Sequence, residues 1–597
     1  MQKLGFIALV VAGICAASCS NEDEWEPDWN SGNNGGGSST SVTASIGDLT
    51  SFSIAIDSTS LSESETIPSD DEDYVENNTF NSVISIDYNG SEATVTGDVE
   101  GVSVACDGAH VVVTSTVKGV RYVLSGTTSN GSFKIYSEKK YALELNGVSI
   151  TNPTGAAINS QSKKRAYVIL DSGTMNRLAD GESYTTVDDE DMKGVFFSEG
   201  ELLFSGSGKL RVYSSGKHGI VSDDYVLFRP GGNIYVNSSS GHCVKANDAI
   251  YVRGGVINLE TSANGAKGLN CDSVVVIDGG RITALTTGDA IWDTDDSELK
   301  GPAGIKSDYG FTMNGGEVYA KSSGKGGKGI SSDDVMTFND GTVRIITTGT
   351  KYTYGNDSKS PKGIRGDNDI VINGGSIKVR TTGGENSEGI ESKATLTVNG
   401  GTTEVYAYDD AINAKTSIVI NGGSVFTYAE HDDGVDSNGT LTIAGGTVVA
   451  CGTTSPEDGF DCDNSTFKIT GGTILGIGGG STSPSSSVTT QPVALLGASG
   501  LNASTYIALA DNDGKNVYAF KVPRSYNSCT LLLSSPSLKK GGKCTVSTGV
   551  SVTGGTDFDG LVTNSTISGG TTLASLTFNN YIATYNYSSG MGGGPGW

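Results

Sequence analysis

Three observations predict an all-β chain wound as a parallel β-helix with a β-rich cap at its C-terminal end. The first is a Gly-Gly or Asp-Gly pair followed by a short β-branched run, beginning at Gly231, Gly254, Gly279, Gly315, Asp340, Gly374, Gly400, Gly422, Gly445 and Gly471. The second is a motif ahead of each pair: a glycine, an apolar residue, any residue and a small one, as in Gly329-Ile330-Ser331-Ser332 and Gly434-Val435-Asp436-Ser437. The third is composition. With 85 Gly, 12 Pro and recurrent Val, Ile and Thr in 597 residues, the chain suits many short strands joined by tight turns. Successive pairs are mostly twenty-odd residues apart, too short for the four-stranded blade of a propeller and suited to one coil of a solenoid.

In chain order, residues 1–18 read as an export signal. Lys3 gives a basic start, the run from Leu4 to Ala17 is apolar but too short to span a bilayer, and Cys19 follows small residues. Cys19 is therefore the expected lipidated residue, as at a bacterial lipoprotein cleavage site; ordinary secretion with cleavage nearby is the alternative. Ser20-Asn21-Glu22-Asp23-Glu24 resembles the acidic surface-export tag of Bacteroidetes lipoproteins, which implies an outer-membrane lipoprotein exposed at the cell surface. Residues 19–42 are the expected flexible tether, with Gly35-Gly36-Gly37-Ser38-Ser39 in it. Contact with the membrane is then expected through the lipid alone. Residues 57–78 are acidic and polar and read as loop or disorder.

The β-helix is expected over 43–490. Upstream of the clear repeats, Val120–Gly126 and Leu143–Ile150 read as strands of the same stack. Within the repeat the second and fourth motif positions point inward and the third outward, because side chains alternate along a strand. A strand, a turn and a second strand per repeat are expected. An Asp or Asn column follows, at Asp223, Asn247, Asp272, Asp308, Asp333, Asp367, Asn438 and Asp463, where short polar side chains suit the turn. The insertions near Trp292 and Tyr352 lengthen two coils. Ser481–Thr490 reads as a Ser/Thr-rich linker, and 491–597 as the cap with a loose Gly-rich tail. Setting aside Cys15 and Cys19, seven cysteines remain; none forms a CxxC pair, which disfavours zinc, and Cys529 with Cys544 is a possible disulfide.

The order Tyr-Val-Leu-Ser-Gly, Leu-Glu-Leu-Asn-Gly-Val, Gly-Ala-Ala-Ile, Lys-Gly-Ile-x-Ser-Asp and Asn-Gly-Gly resembles a bacterial family of right-handed β-helix carbohydrate-binding domains, akin in structure to family 9 pectate lyases. The resemblance spans roughly 75–580. It implies calcium as the cofactor and cellulose-like or acidic plant polysaccharides as partners.

The residues themselves give a compatible site. The net charge of −27 disfavours nucleic acid as a partner. The residue before each repeat glycine and the outward third position both run from basic to acidic along the stack. Lys306, Lys328, Lys362 and Arg365 lie in the basic half and are expected to help hold a polyanion. Asp409, Asp410, Asp432, Asp433, Asp436, Asp458 and Asp461 lie in the acidic half. Carboxylates this dense repel unless a cation separates them, and an oxygen-only set suits calcium. The resemblance carries Asp432, Asp433 and Asp436 over as ligands of the primary calcium, with Asp409 or Asp410 supplying the preceding one; Asp458 and Asp461 are a candidate second pair. A lyase needs a base beside the calcium. Lys393 and Lys415 are the candidates, read here as charge partners of the acids; Lys468 lies in the wrong strand context. Tyr408 and the aromatics of the insertions, Trp292, Tyr352 and Tyr354, are expected at the surface, Tyr408 as a sugar contact. The expected function is non-catalytic, calcium-dependent polysaccharide binding. A calcium-dependent lyase and a structural adhesin are the alternatives, and the sequence identifies no protein partner.

Overall fold

Each coil holds three strands, not the two expected. In the computed structural model, which describes residues 46–187 and 190–587, one coil comprises Lys328–Ser332, Met336–Phe338 and Thr342–Thr347. The extra strand is the short second one. At three residues it is too brief for alternation to register as a pattern in the sequence. The first strands of successive coils stack into a fifteen-stranded sheet, and the second and third strands belong to a 31-stranded one. The result is a parallel β-solenoid. Residues 1–45, including the expected signal, Cys19 and the tether, lie outside the described residues, as do 588–597 of the Gly-rich tail.

The inward column is continuous. Ile305 pairs with Ile330, Ile330 with Ile364, Ile364 with Ile390, Ile390 with Ile412, Ile412 with Val435 and Val435 with Phe460. All are fully buried. Burying such a side chain contributes roughly 1.5–3 kcal/mol, so this ladder is one of the main sources of the stack's stability. The same pairings put the outward third positions in register as well, including Lys306, Ser331, Arg365, Glu391, Asn413, Asp436 and Asp461.

The glycine pairs make the turn into the third strand. Gly375 sits at φ +78°, a left-handed conformation that side chains with a Cβ rarely adopt. A Cβ on its neighbour Gly374 would lie 2.5 Å from the carbonyl oxygen of Asn339 on the preceding coil. A ladder of side-chain amides runs beside these turns. Asn339 donates to Asn314, Asn373 to Asn339, Asn399 to Asn373 and Asn421 to Asn399, each at 2.7–2.8 Å.

Residues 52–78 form no strand, but they are not free. They are strapped along the solenoid flank by ion pairs: Asp57 to Arg281 at 2.7 Å, Glu65 and Glu76 to Arg229 at 2.8 Å, and Asp73 to Arg253 at 3.1 Å. Arg229 also lies 4.3 Å from the ring centroid of Tyr74. The acidic character read as disorder is what matches these arginines.

The other end is closed in two ways. The expected linker is a covering strap, not a free segment. Thr482 N–H donates to Phe460 O, Ser485 N–H to Phe467 O and Thr490 N–H to Ile469 O, at 2.7–3.0 Å, satisfying carbonyls of the last coil that would otherwise face water unpaired. The third strand of that coil, Thr473–Gly478, pairs antiparallel with Tyr526–Ser534, which pairs antiparallel with Val493–Leu501. A six-stranded antiparallel sheet follows. Leu496, Leu531, Leu533, Tyr518 and Phe520 pack with Phe426, Val449 and Leu475 of the solenoid. Cys529 and Cys544 are both buried free thiols, so the suggested disulfide is not formed; each is part of this apolar packing. No helix among the described residues is long and apolar enough to cross a membrane.

Candidate functional site

The acidic residues converge because the stack sets one coil directly on the next. Gly389 N–H donates to Asp410 O, Ala411 N–H to Asp433 O and Gly434 N–H to Asp458 O, at 3.0–3.1 Å. This backbone ladder fixes Asp410, Asp433 and Asp458 in one column. Their carboxylates join it: Asp433 N–H donates to Asp410 Oδ1 at 3.2 Å, and Asp458 N–H to Asp433 Oδ1. Oxygens of Asp410, Asp432 and Asp433 lie within 4.8 Å of one another, as do those of Asp433, Asp436 and Asp461. Asp433 belongs to both groups. Asp409, on the edge, accepts the N–H of Asn386 at 2.7 Å.

These carboxylates are poorly hydrated. Asp410 and Asp433 are 8% and 7% exposed. Burial first, and then the charges of Asp432, Asp436 and their neighbours, holds both well above the ordinary carboxylate range. The same causes push Asp409 and Asp432 up to about 6, and Asp436 and Asp458 up to about 7. Among the described residues, no Lys or Arg forms an ion pair with any of the seven. Asn413 donates to Asp436 Oδ2 at 2.6 Å and to Asp410 Oδ2 at 3.1 Å, and Thr482 donates to Asp461 Oδ1 at 2.8 Å. Sequence reasoning missed both. Asn413 stands in the outward column as a neutral member, and Thr482 lies in the segment read as linker. A buried, acid-only set of oxygens with no cationic side chain fits a hard divalent cation such as calcium.

The basic half of the stack forms a different surface, a cleft of about 670 Å³ lined by Lys306, Lys328 and Arg365. Two hairpins built from the insertions, Ile291–Asp293 with Glu298–Lys300 and Tyr352–Tyr354 with Asp357–Lys359, rise beside it. Trp292 of one stacks on Tyr354 of the other at 4.9 Å and 16°. Lys306 pairs with Asp308 at 2.7 Å and Asp333 at 2.6 Å, and Arg365 with Asp367 at 2.5 Å. Lys328 is 7% exposed, and burial pushes its ammonium down to about 7. Lys362 is equally buried, but it is engaged where the basic run meets the acidic one, paired with Glu388 and with Glu391.

A family model described as carbohydrate-binding domain-containing protein matches residues 107–301, 262–384 and 381–572. The chain belongs to that family. A carbohydrate-binding domain-containing protein of Acetivibrio thermocellus is 32% identical over 103 residues, which is 17% of this chain and 36% of that one; the match thus spans about a third of the relative's length. A solved structure titled as the polysaccharide lyase-like protein from C. thermocellum, gadolinium derivative, is 25% identical with a TM-score of 0.36, covering 43% of this chain and 96% of its own.

Within this carbohydrate-binding family member, neither candidate base forms an ion pair with the aspartates among the described residues. Lys393 is exposed and paired with Glu391, while Lys415 is exposed and forms no ion pair among the described residues. Lys468 lies in the other sheet, paired with Thr442. Tyr354 is 50% exposed, whereas Tyr408, Trp292 and Tyr352 are half-buried. Tyr408 packs on His431 at 4.1 Å. Tyr406 and Tyr428 stack on each other, and Arg524 from the cap covers Tyr428 at 4.2 Å.

Proposed function

We propose that this protein holds polysaccharide at the cell surface in a calcium-dependent manner and does not cleave it. The observation that carries the reading is the pair of partly buried carboxylate groups sharing Asp433, with no cationic side chain paired to them among the described residues. Asp410, Asp432, Asp433, Asp436 and Asp461 would hold the ion, with Asp409 and Asp458 beside them. A calcium ion there would supply positive charge at a flat, acidic face, able to attract the carboxylates of an anionic plant-type glycan. The chain's own residues position that charge. The backbone ladder fixes Asp410 and Asp433, and Asn413 orients the oxygens of Asp410 and Asp436. The non-catalytic half is supported by Lys393, which is engaged in an ion pair with Glu391 and, among the described residues, with none of the aspartates. The anchor completes the proposal, with Cys19 lipidated and the solenoid displayed outside the outer membrane.

The test is retention of the full chain on a panel of insoluble polysaccharides in calcium and in chelator, with ultraviolet absorbance of the supernatant followed for unsaturated products. Calcium-dependent retention without absorbance supports the reading. Absorbance that disappears in Lys393→Ala or Lys415→Ala moves the protein to the lyases. No retention on any glycan leaves the adhesin.

A further inference from the structure

The cleft over the basic half of the stack has its own charge logic, independent of calcium. Its floor is the column just before the repeat glycines: His218, His242, Lys267, Ala303 and Lys328, in consecutive coils. The two imidazoles stack at 4.7 Å and 2°. His218 Nδ1 accepts the N–H of His242 at 2.9 Å, and His242 Nδ1 accepts that of Lys267 at 3.0 Å. Both neutral rings are thereby fixed with the proton on Nε2, so each offers a donor. The floor presents donors and no acceptor.

The carboxylates of the cleft are all engaged, six of them with cations that line the same cleft. Asp272 pairs with Lys245, Asp308 and Asp333 with Lys306, and Asp367 with Arg365. On the hairpin, Asp296 and Glu298 pair with Lys300, and Asp293 accepts the amide of Asp295 at 2.9 Å. Lys267, Lys328 and Lys359 are left with no carboxylate within ion-pair distance among the described residues. Lys328 is more than nine-tenths buried, lines the cleft and has no hydrogen-bond partner there. Ala303 lies between Lys267 and Lys328 in the column and carries no group that could pair with either. Their backbones are two coils apart, roughly 10 Å at strand spacing, which leaves room for one anionic group reached from both sides.

We propose that this cleft is a second, metal-independent site that binds an acidic sugar unit, with its carboxylate seated between Lys267 and Lys328. The choice of a sugar rests on the glycan-binding function proposed above; the choice of an anion rests on the cleft alone. A cleft of this size takes an oligosaccharide segment and not a folded partner.

The experiment is calorimetric titration of the full chain, in chelator, with a uronic-acid tetrasaccharide, a neutral tetrasaccharide and inorganic sulfate. The uronate is expected to bind one per chain, the neutral sugar not to bind, and sulfate to bind at least about 10-fold more weakly than the uronate. Lys328→Met and Lys267→Met should each weaken uronate binding about 10-fold or more, the scale of a lost charged hydrogen bond. Lys328→Arg, read with the melting temperature of each variant, should keep most of it and separates lost charge from lost fold. Uronate binding that vanishes in chelator, sulfate that matches the uronate, or a folded Lys328→Met that binds like wild type would each overturn the site. Retention on insoluble glycan in calcium without uronate binding in chelator defeats this inference and leaves the proposed function standing. The converse result defeats that function and leaves this site.

Discussion

Asp433 is the residue on which both carboxylate groups depend, and its substitution separates repulsion from ligation. Without calcium, Asp433→Asn removes a buried charge among like charges, so its melting temperature in chelator should equal or exceed that of wild type. In calcium the order should reverse, because a ligand held by the native state stabilises it by mass action and the variant has lost a ligand. Thermal scans of both proteins in both buffers check this. Lys328 gives the pH dependence. Its folded value of about 7 lies below the ordinary lysine value of 10.5, so the native state disfavours the ammonium. The stability it forfeits is intact above pH 10.5 and is lost as pH falls to 7. Lys328→Met should therefore be more stable than wild type at pH 7, and the gain should shrink steadily toward pH 10. A gain that grows with pH would contradict this. At this scale the sequence was a good guide to which aspartates meet, since one motif position in every coil must share one column. It was a poor guide to their neutral partners. Asn413 and Thr482 are ordinary polar residues until the stack brings them to the carboxylates.

At the scale of the element, one coil stands or falls with its inward ladder and its turn. Ile364→Ala opens a cavity between Ile330 and Ile390 and should cost about 2–4 kcal/mol in denaturant unfolding. Asn373→Ala breaks two rungs of an exposed amide ladder and should cost only about 1 kcal/mol. The inward ladder was legible because Gly-apolar-x-small recurs coil after coil. The amide ladder carried a visible signal, an Asn ahead of the glycine pair at Asn314, Asn373, Asn399 and Asn421, that the glycines overshadowed. The middle strand was not legible, being three or four residues long. The N-terminal strap was hidden for a different reason. Its acids match Arg229, Arg253 and Arg281, which lie some 150 to 220 residues further along the chain. Arg229→Met should release the strap around Glu65 and Glu76, read as faster amide exchange in 57–78 with the solenoid core unchanged.

For the whole molecule, the stack turns a linear charge gradient into two separate surfaces, a mixed-charge cleft beside the hairpins whose floor carries lysines unpaired among the described residues, and an anionic face next to the cap. The aspartates lie on the coils just before the end that Thr482, Tyr526–Ser534 and Arg524 close, so the cap supports the acidic face as well as covering the last strand. Cys19→Ala should move the protein from the membrane fraction to the soluble one; persistence in the membrane would contradict the proposed anchor. In the proposed function, bound calcium at the acidic face is what holds the glycan. The most direct measurement is calorimetric titration of calcium into chelator-stripped protein, alone and with an acidic polysaccharide present, for wild type and Asp433→Asn. Calcium binding should be saturable, should tighten when the polysaccharide is present and should be weakened in the variant. Calcium binding that is absent, or that the polysaccharide leaves unchanged in wild type, would contradict that function.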